Sequence, residues 1–69
     1  MQREQVTSSN LASVGYDVES SRLEIEFRHG GVYAYYSVPQ SVHQALMRAD
    51  SVGGYFSANI KGKYGDTKL

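Results

Sequence analysis

Tyrosine side chains are the residues of this sequence best suited to binding an aromatic ligand. Six of the 69 residues are tyrosines, and three of them stand close together at Tyr33, Tyr35 and Tyr36. A tyrosine ring that stacks on a nucleic-acid base contributes about 1–3 kcal/mol of binding free energy. Tyrosines also fill the cores and edges of small β-sheets. The tyrosines therefore predict either a stacking surface or core packing.

A second group of residues is suited to binding a phosphate. Ser51, Gly53 and Gly54 lie where a helix is predicted to begin, and backbone N–H groups that are not covered by side chains attract anions there. Lys61 and Lys63 follow the same helix and can close over the same ligand. The alternative is structural, since the two glycines also permit a tight turn and close packing between helices.

Arg48 is the remaining cation near this segment. It lies close to the predicted end of the preceding helix, where a positive charge stabilises the helix by about 0.3–1 kcal/mol. Asp50 follows it and opposes anion binding electrostatically. Arg48 is therefore either part of a phosphate site or a helix-terminal charge.

Residue types needed for catalysis or metal binding are scarce. The sequence has no cysteine, and its only histidines are His29 and His43. It contains no nucleophile elbow, Walker loop or His-Glu-x-x-His motif. Glu24 and Glu26 alternate with apolar residues, which indicates solubilising side chains on the wet face of a strand. We predict a protein without catalytic activity, cofactor or metal.

Hydrophobic periodicity predicts three strands followed by two helices. Alternating apolar residues indicate strands over 11–18, 23–27 and 32–38. Apolar residues at helical spacing indicate one helix that opens at Val38-Pro39, with the proline in its first position, and a second that Ser51 caps and that runs to about residue 60. We therefore predict an α+β fold in which a three-stranded antiparallel meander is covered on one face by two short helices. In this single domain, 1–69, we expect residues 1–10 to form a polar arm and 61–69 a flexible basic tail.

The turn His29-Gly30-Gly31 decides which face of the third strand is buried. A two-residue turn places Ala34 and Tyr36 on the core face, whereas a three-residue turn with Gly30 in a left-handed conformation places Tyr33 and Tyr35 there. We favour the three-residue turn, with Tyr33 and Tyr35 inward.

Charge limits the kind of ligand. Seven basic and seven acidic residues give a net charge of zero, whereas a protein that binds a long polyanion normally carries a basic excess. Residues 1–44 have three basic and five acidic residues (3 − 5 = −2), and residues 45–69 have four basic and two acidic ones (4 − 2 = +2). We therefore expect a compact anion, bound by the C-terminal part.

Size predicts self-association. A chain of 69 residues buries a marginal core, and proteins this small are usually stabilised by disulfides, metals or oligomerisation. Because the first two are not expected here, we predict a homo-oligomer. The sequence has no apolar run near the ~20 residues that span a bilayer and no signal segment, so we expect a cytoplasmic protein that does not contact membranes.

Several short motifs together resemble the KTSC domain family, named for the C-terminal region of some lysyl-tRNA synthetases. In chain order they are Ser8-Ser9-Asn10, Ser13-Val14-Gly15-Tyr16-Asp17, Leu23-Glu24-Ile25-Glu26-Phe27, Gly31-Val32-Tyr33-Ala34-Tyr35, Val38-Pro39, Ala49-x-Ser51-x-Gly53-x-Tyr55-Phe56 and Ile60-Lys61. The resemblance covers about residues 6–64. It implies a domain found alone in bacterial and phage proteins or appended to larger ones. Nothing in the resemblance implies catalysis, and the synthetase context suggests RNA binding.

Three functions are consistent with these observations. The first is a module that binds a nucleotide or short RNA through tyrosine stacking and a phosphate site. The second is a homo-oligomeric, phage-type protein that sequesters a nucleotide immune signal in pockets between protomers. The third is a protein–protein interaction domain whose surface includes exposed tyrosines and Met47. The predicted ligand-binding residues are Tyr33, Tyr35, Tyr36, Arg48, Ser51, Gly53, Gly54, Lys61 and Lys63.

Overall fold

A five-stranded antiparallel sheet with two helices against one face forms the domain. The computed structural model describes residues 3–69. The elements are β1 Arg3–Gln5, β2 Leu11–Asp17, β3 Arg22–Phe27, β4 Val32–Tyr35, α1 Gln40–Arg48, α2 Val52–Asn59 and β5 Asp66–Lys68. The strands lie in the order β1-β2-β3-β4-β5, so each strand pairs with the next one along the chain. The α+β class is confirmed, whereas the predicted number of three strands is wrong.

The two additional strands form the edges of the sheet, within the segments expected to be an arm and a tail. Each is three residues long and exposed throughout. Two backbone bonds flank β5 and hold it against β4: Tyr36 N–H donates to Gly65 O at 2.9 Å, and Leu69 N–H donates to Val32 O at 2.7 Å. These edges consist of backbone pairing without side-chain burial, so no hydrophobic pattern marks them in the sequence. Residues 1 and 2 of the expected arm lie outside the described residues.

Glycines in the β3–β4 turn determine which face of β4 is buried. Phe27 N–H donates to Gly31 O at 3.1 Å, and Gly30 and Gly31 have φ angles of +111° and +90°. A side chain at either position would be strained. This turn directs Tyr33 and Tyr35 towards the helices, as we predicted, and only 4% of Tyr35 is exposed.

The strand β4 is shorter than the predicted 32–38. Its end at Tyr35 is followed by Ser37, whose φ of +59° turns the chain away from the sheet. Val38 is then fully buried, and its N–H donates to Ser21 O at 2.9 Å. Pro39 precedes α1 as its N-cap instead of occupying the first helical position, because its ψ of 148° is still extended.

The core lies between the inner face of the sheet and the two helices. A bulge between Leu11 and Ser13 shifts the pairing of β2 with β3. Leu11 is fully buried as a result of its inward position, alongside Leu46 from α1 and Phe56 from α2. The buried core residues are Leu11, Val14, Leu23, Ile25, Tyr35, Val38, Leu46, Phe56 and Ile60.

On the sheet face away from the helices, Glu24 differs from our expectation of a solubilising side chain. The residue is only 9% exposed. Its carboxylate accepts from Arg3 Nη2 at 2.6 Å and pairs with Arg22 Nη2 at 3.0 Å. Glu24 therefore ties the edge strand β1 to the centre of the sheet, and the prediction of a solubilising side chain is wrong.

Candidate functional site

An aromatic cleft of about 520 Å³ opens between α2 and the inner face of β4 and β5. Its walls include Phe27, His29, Tyr33, Tyr35, Lys61 and Asp66. The cleft therefore combines aromatic rings with one ammonium group and one carboxylate.

The rings around the aromatic cleft hold one another in place. Phe27 stacks on His29 with ring centroids 5.5 Å apart, and it meets Tyr33 edge to face at the same distance. Tyr35 and Phe56 also meet edge to face at 5.5 Å. Offset and edge contacts of this kind are the favoured geometries of aromatic pairs. They fix the wall of the cleft before any ligand enters.

Tyr35 lines this cleft and is almost fully buried. Burial, with smaller contributions from the Asp66 and Tyr33 charges, raises the pKa of Tyr35 to about 12. The phenol is therefore protonated at neutral pH, and its hydroxyl can donate a hydrogen bond to a ligand.

A second, polar cleft of about 570 Å³ lies at the amino end of α2. Arg28, Ser51, Gly53 and Gly54 line this polar cleft. Ser51 caps the helix, as predicted, and its Oγ accepts from Gly54 N–H at 3.0 Å. The earlier N–H groups of a helix have no acceptor within the helix. At the start of α2 these N–H groups give the adjoining part of the polar cleft a partial positive charge.

The loop before β2 forms the opposite wall of the polar cleft. Arg28 Nε donates to Ser8 O, and Arg28 N–H donates to Asn10 O at 2.9 Å. Ser8 Oγ in turn accepts from the N–H groups of Asn10 and Leu11 at 3.2 and 3.3 Å. A Cβ atom at Gly53 would lie only 2.9 Å from Ser8 Oγ. Gly53 therefore allows this loop and α2 to approach closely.

The two clefts adjoin. Asn10, Gly53 and Ser57 line both of them. Aromatic rings lie on one side of these shared residues, and the amino end of α2 lies on the other. A ligand with an aromatic part and an anionic part can occupy both clefts.

Six of the nine predicted ligand-binding residues line these clefts. Tyr33, Tyr35 and Lys61 line the aromatic cleft, Ser51 and Gly54 line the polar cleft, and Gly53 lines both. The other three line neither cleft. Tyr36 is 41% exposed just beyond β4, Arg48 is exposed in the last turn of α1, and Lys63 is exposed beyond α2.

Other lining residues were not predicted from the sequence. Arg28, Phe27 and Asp66 are distant along the chain from 51–54, and the sheet brings them together. The Ser8-Ser9-Asn10 motif, one of those that resemble the KTSC family, is the sequence feature that marks the loop forming one wall of the polar cleft. Nothing in its composition connected it to α2.

The part of the chain that the structure describes, residues 3–69, contains neither a metal-ligand cluster nor a membrane-spanning helix. No group of three or more His, Cys, Asp or Glu side chains within that range is placed to hold a metal ion. None of the helices described is long and apolar enough to cross a membrane. His43, one of the two histidines, stacks on Tyr16 with ring centroids 4.6 Å apart.

Comparison with known proteins identifies the family. The model of the KTSC domain matches residues 7–64, which is most of the chain. This chain belongs to the KTSC domain family. The crystal structure of a KTSC domain protein from Yersinia pestis superposes with a TM-score of 0.97 at 46% identity, covering 99% of this chain and 96% of that one.

Relatives of this KTSC domain are either small proteins or parts of larger ones. An uncharacterized protein of Stutzerimonas stutzeri is 45% identical over 64 residues, which are 93% of this chain and 90% of that protein. A lysine–tRNA ligase of Nostoc punctiforme is 41% identical over 56 residues, which are 81% of this chain and 10% of the ligase. The KTSC domain is thus a small part of the ligase.

Proposed function

We propose that this KTSC protein is a non-enzymatic, cytoplasmic module that binds a nucleotide or short RNA across its two adjoining clefts. The observation that carries the proposal is the meeting of the aromatic cleft and the amino end of α2 at Gly53. The base stacks in the aromatic cleft, and the phosphate lies in the polar cleft.

The aromatic cleft has the size and lining that a base requires. Its volume of about 520 Å³ lies within the range of about 300–1,000 Å³ that is common for small-molecule sites. Tyr33 is half-buried, so part of its ring is available for contact. Phe27 and His29 extend the aromatic surface. Stacking on such rings is tolerant of base identity and contributes about 1–3 kcal/mol per base.

The polar cleft has the groups that a phosphate requires. N–H groups at the start of α2 point out of the helix end, and the helix dipole favours an anion there. Arg28 uses Nε and Nη2 to hold the carbonyls of Ser8 and Val6, which leaves its other N–H groups for a ligand. Asp50 lines the same cleft and limits its positive charge.

The charges of the clefts and the similarity to a related sequence both indicate the kind of ligand. The clefts have only Arg28 and Lys61 as full cations among their described lining residues, which suits one or a few phosphates better than a long polyanion. A related sequence is part of a lysine–tRNA ligase, which supports RNA as one form of the ligand.

The two lysines of the C-terminal segment provide a matched test. Lys61 lines the aromatic cleft, whereas Lys63, two residues away and also exposed, lines neither cleft. Isothermal titration calorimetry with AMP, GMP, CMP, UMP and a short single-stranded RNA measures the dissociation constants. We expect Lys61→Ala to weaken binding about three- to tenfold and Lys63→Ala to change it less than twofold, since one screened charge contact contributes about 1 kcal/mol.

Salt dependence is the second measurement. Affinity for the short RNA should fall as salt rises, and the slope should be smaller for Lys61→Ala than for the unmodified chain if a second phosphate of the RNA extends past the base to Lys61. If none of these nucleotides or the RNA binds the folded protein, the proposal is wrong. Equal effects of the two lysine substitutions would contradict the assignment of the aromatic cleft.

A further inference from the structure

The end of the aromatic cleft nearest β5 has polar groups that stacking does not use. Asp66, in β5, lies directly opposite Tyr35 in the adjacent strand, and both line the cleft together with Lys61. Within residues 3–69, the ion pairs join Glu24 to Arg3 and Arg22, so none joins Asp66 to Lys61. A residue whose carboxylate only accepts hydrogen bonds thus lines the cleft together with two residues whose hydroxyl and ammonium groups can donate them.

This end of the cleft is separated from the amino end of α2. Helix α2 has eight residues, and at 1.5 Å per residue it is about 12 Å long. Gly53 lies in its first turn and Lys61 follows its last, so the two clefts extend along this length. A phosphate in the polar cleft is therefore kept away from the Asp66 carboxylate, and the base is the part of a nucleotide that reaches Asp66.

We infer that Asp66 reads the edge of the bound base and selects guanine, an inference that rests on the nucleotide-binding function proposed above. Guanine presents two adjacent donors, N1–H and the N2 amino group, that a single carboxylate can accept together. Its neighbouring O6 is an acceptor that the Tyr35 hydroxyl or the Lys61 ammonium can meet.

The other bases fit this arrangement less well. Uracil has one donor, N3–H, between two carbonyl oxygens that repel a carboxylate. Adenine and cytosine each place a ring-nitrogen acceptor beside their amino group, so only one of the two carboxylate oxygens finds a donor. Good paired contacts to a base edge discriminate by about 1–3 kcal/mol, which is roughly five- to 150-fold in affinity.

The test compares ligands that differ by one group. Inosine monophosphate (IMP) lacks only the N2 amino group of GMP, so the ratio of their dissociation constants measures that contact. We expect the unmodified protein to bind GMP about tenfold more tightly than IMP or UMP in calorimetric titrations. In Asp66→Asn this preference should fall to about twofold or less. Because Asp66→Asn also removes a negative charge, Glu19→Gln, an exposed substitution outside both clefts, serves as the charge-matched control and should keep the preference.

The outcomes separate this inference from the function on which it rests. Binding of all four nucleotides with no preference for GMP overturns the guanine selection and leaves the proposed function intact. Equal weakening of every nucleotide by Asp66→Asn also overturns it, because the carboxylate would then hold the ribose. Absence of binding by any nucleotide overturns both. A circular dichroism melt of Asp66→Asn that matches the unmodified protein would show that a lost preference does not come from loss of the fold.

Discussion

At the residue scale, His43 lies on the side of α1 away from its apolar stripe, yet its ring stacks on Tyr16 of the sheet. Its ring lies parallel to that of Tyr16, with an angle of 8° between the ring planes. Burial lowers the pKa of His43 from its ordinary value, and the Glu4 carboxylate opposes this shift. Met47, which the protein–protein interaction hypothesis placed on an exposed surface, is partly buried and packs against the core.

The first prediction concerns the pH dependence of stability. Because the folded state holds the pKa of His43 below 6.5, the unfolded chain binds the proton more readily. The contribution of neutral His43 to the free energy of unfolding is therefore present at pH values above 6.5 and is lost as pH falls below that value. Urea denaturation at pH 5 and pH 7.5 should give a smaller free energy of unfolding at the lower pH.

Two substitutions isolate this effect. His43→Phe keeps an aromatic ring against Tyr16 but does not titrate, and His43→Gln removes both the ring and the titration. Both should reduce the difference between the two pH values, and only His43→Gln should also lower stability at pH 7.5. If the pH dependence is unchanged in both variants, other titratable groups, such as the carboxylates of the sheet, cause it.

At the element scale, the contact between the 8–10 loop and α2 depends on Gly53. In an open helix, Gly→Ala stabilises by up to about 1 kcal/mol. Here the new Cβ would lie 2.9 Å from Ser8 Oγ, which two backbone N–H groups hold in place. Overpacking costs about 1–3 kcal/mol, so Gly53→Ala should be destabilised by about 1 kcal/mol in chemical denaturation.

Gly65 is the matched control for that substitution. A Cβ at Gly65 meets nothing within 4 Å, and its φ is not positive. Gly65→Ala should therefore be neutral or stabilising by up to about 1 kcal/mol, through the unfolded state. If Gly53→Ala proves as stable as Gly65→Ala, the loop is not held against α2 as tightly as the distances indicate.

Elements with a buried face could be predicted from the sequence, and elements without one could not. Alternation marks β3, and the Ser51 cap marks the start of α2, because burial and capping impose residue types at fixed spacings. The edge strand β1 is held by backbone pairing and the ion pair between Arg3 and Glu24, and β5 is held by backbone pairing, which any polar residue permits. For the same reason Asp66 was assigned to a tail and not to the wall of a cleft.

The candidate site was predictable only in its local parts. Ser51, Gly53 and Gly54 are neighbours in the chain, so a helix-start pattern identifies them together. Phe27 and Arg28 join them through pairing of β2 with β3 and packing against α2, contacts with no local signature. The favoured inward orientation of Tyr33 was inferred from the length of one turn, which is a local property.

At the scale of the whole molecule, self-association remains a prediction. It rests on the small size of the core, and the exposed ring of Tyr36 offers a surface on which copies can meet. We expect native mass spectrometry and sedimentation velocity to show a dimer or larger assembly, and Tyr36→Ser to weaken it at least tenfold. A monomer at every concentration tested would contradict the prediction and would confine the proposed binding site to the two clefts of one protomer.

The strand order has a mechanical consequence. The first and last strands are opposite edges of the sheet, four strand spacings or about 19 Å apart. Tension applied between the two ends of the domain therefore pulls across the strands, along the hydrogen bonds, so the bonds of an edge break one after another instead of resisting together. Peeling β5 away removes Asp66 from the aromatic cleft while the other four strands remain paired. A modest pull on the C-terminal end is thus expected to open the aromatic cleft before the domain unfolds.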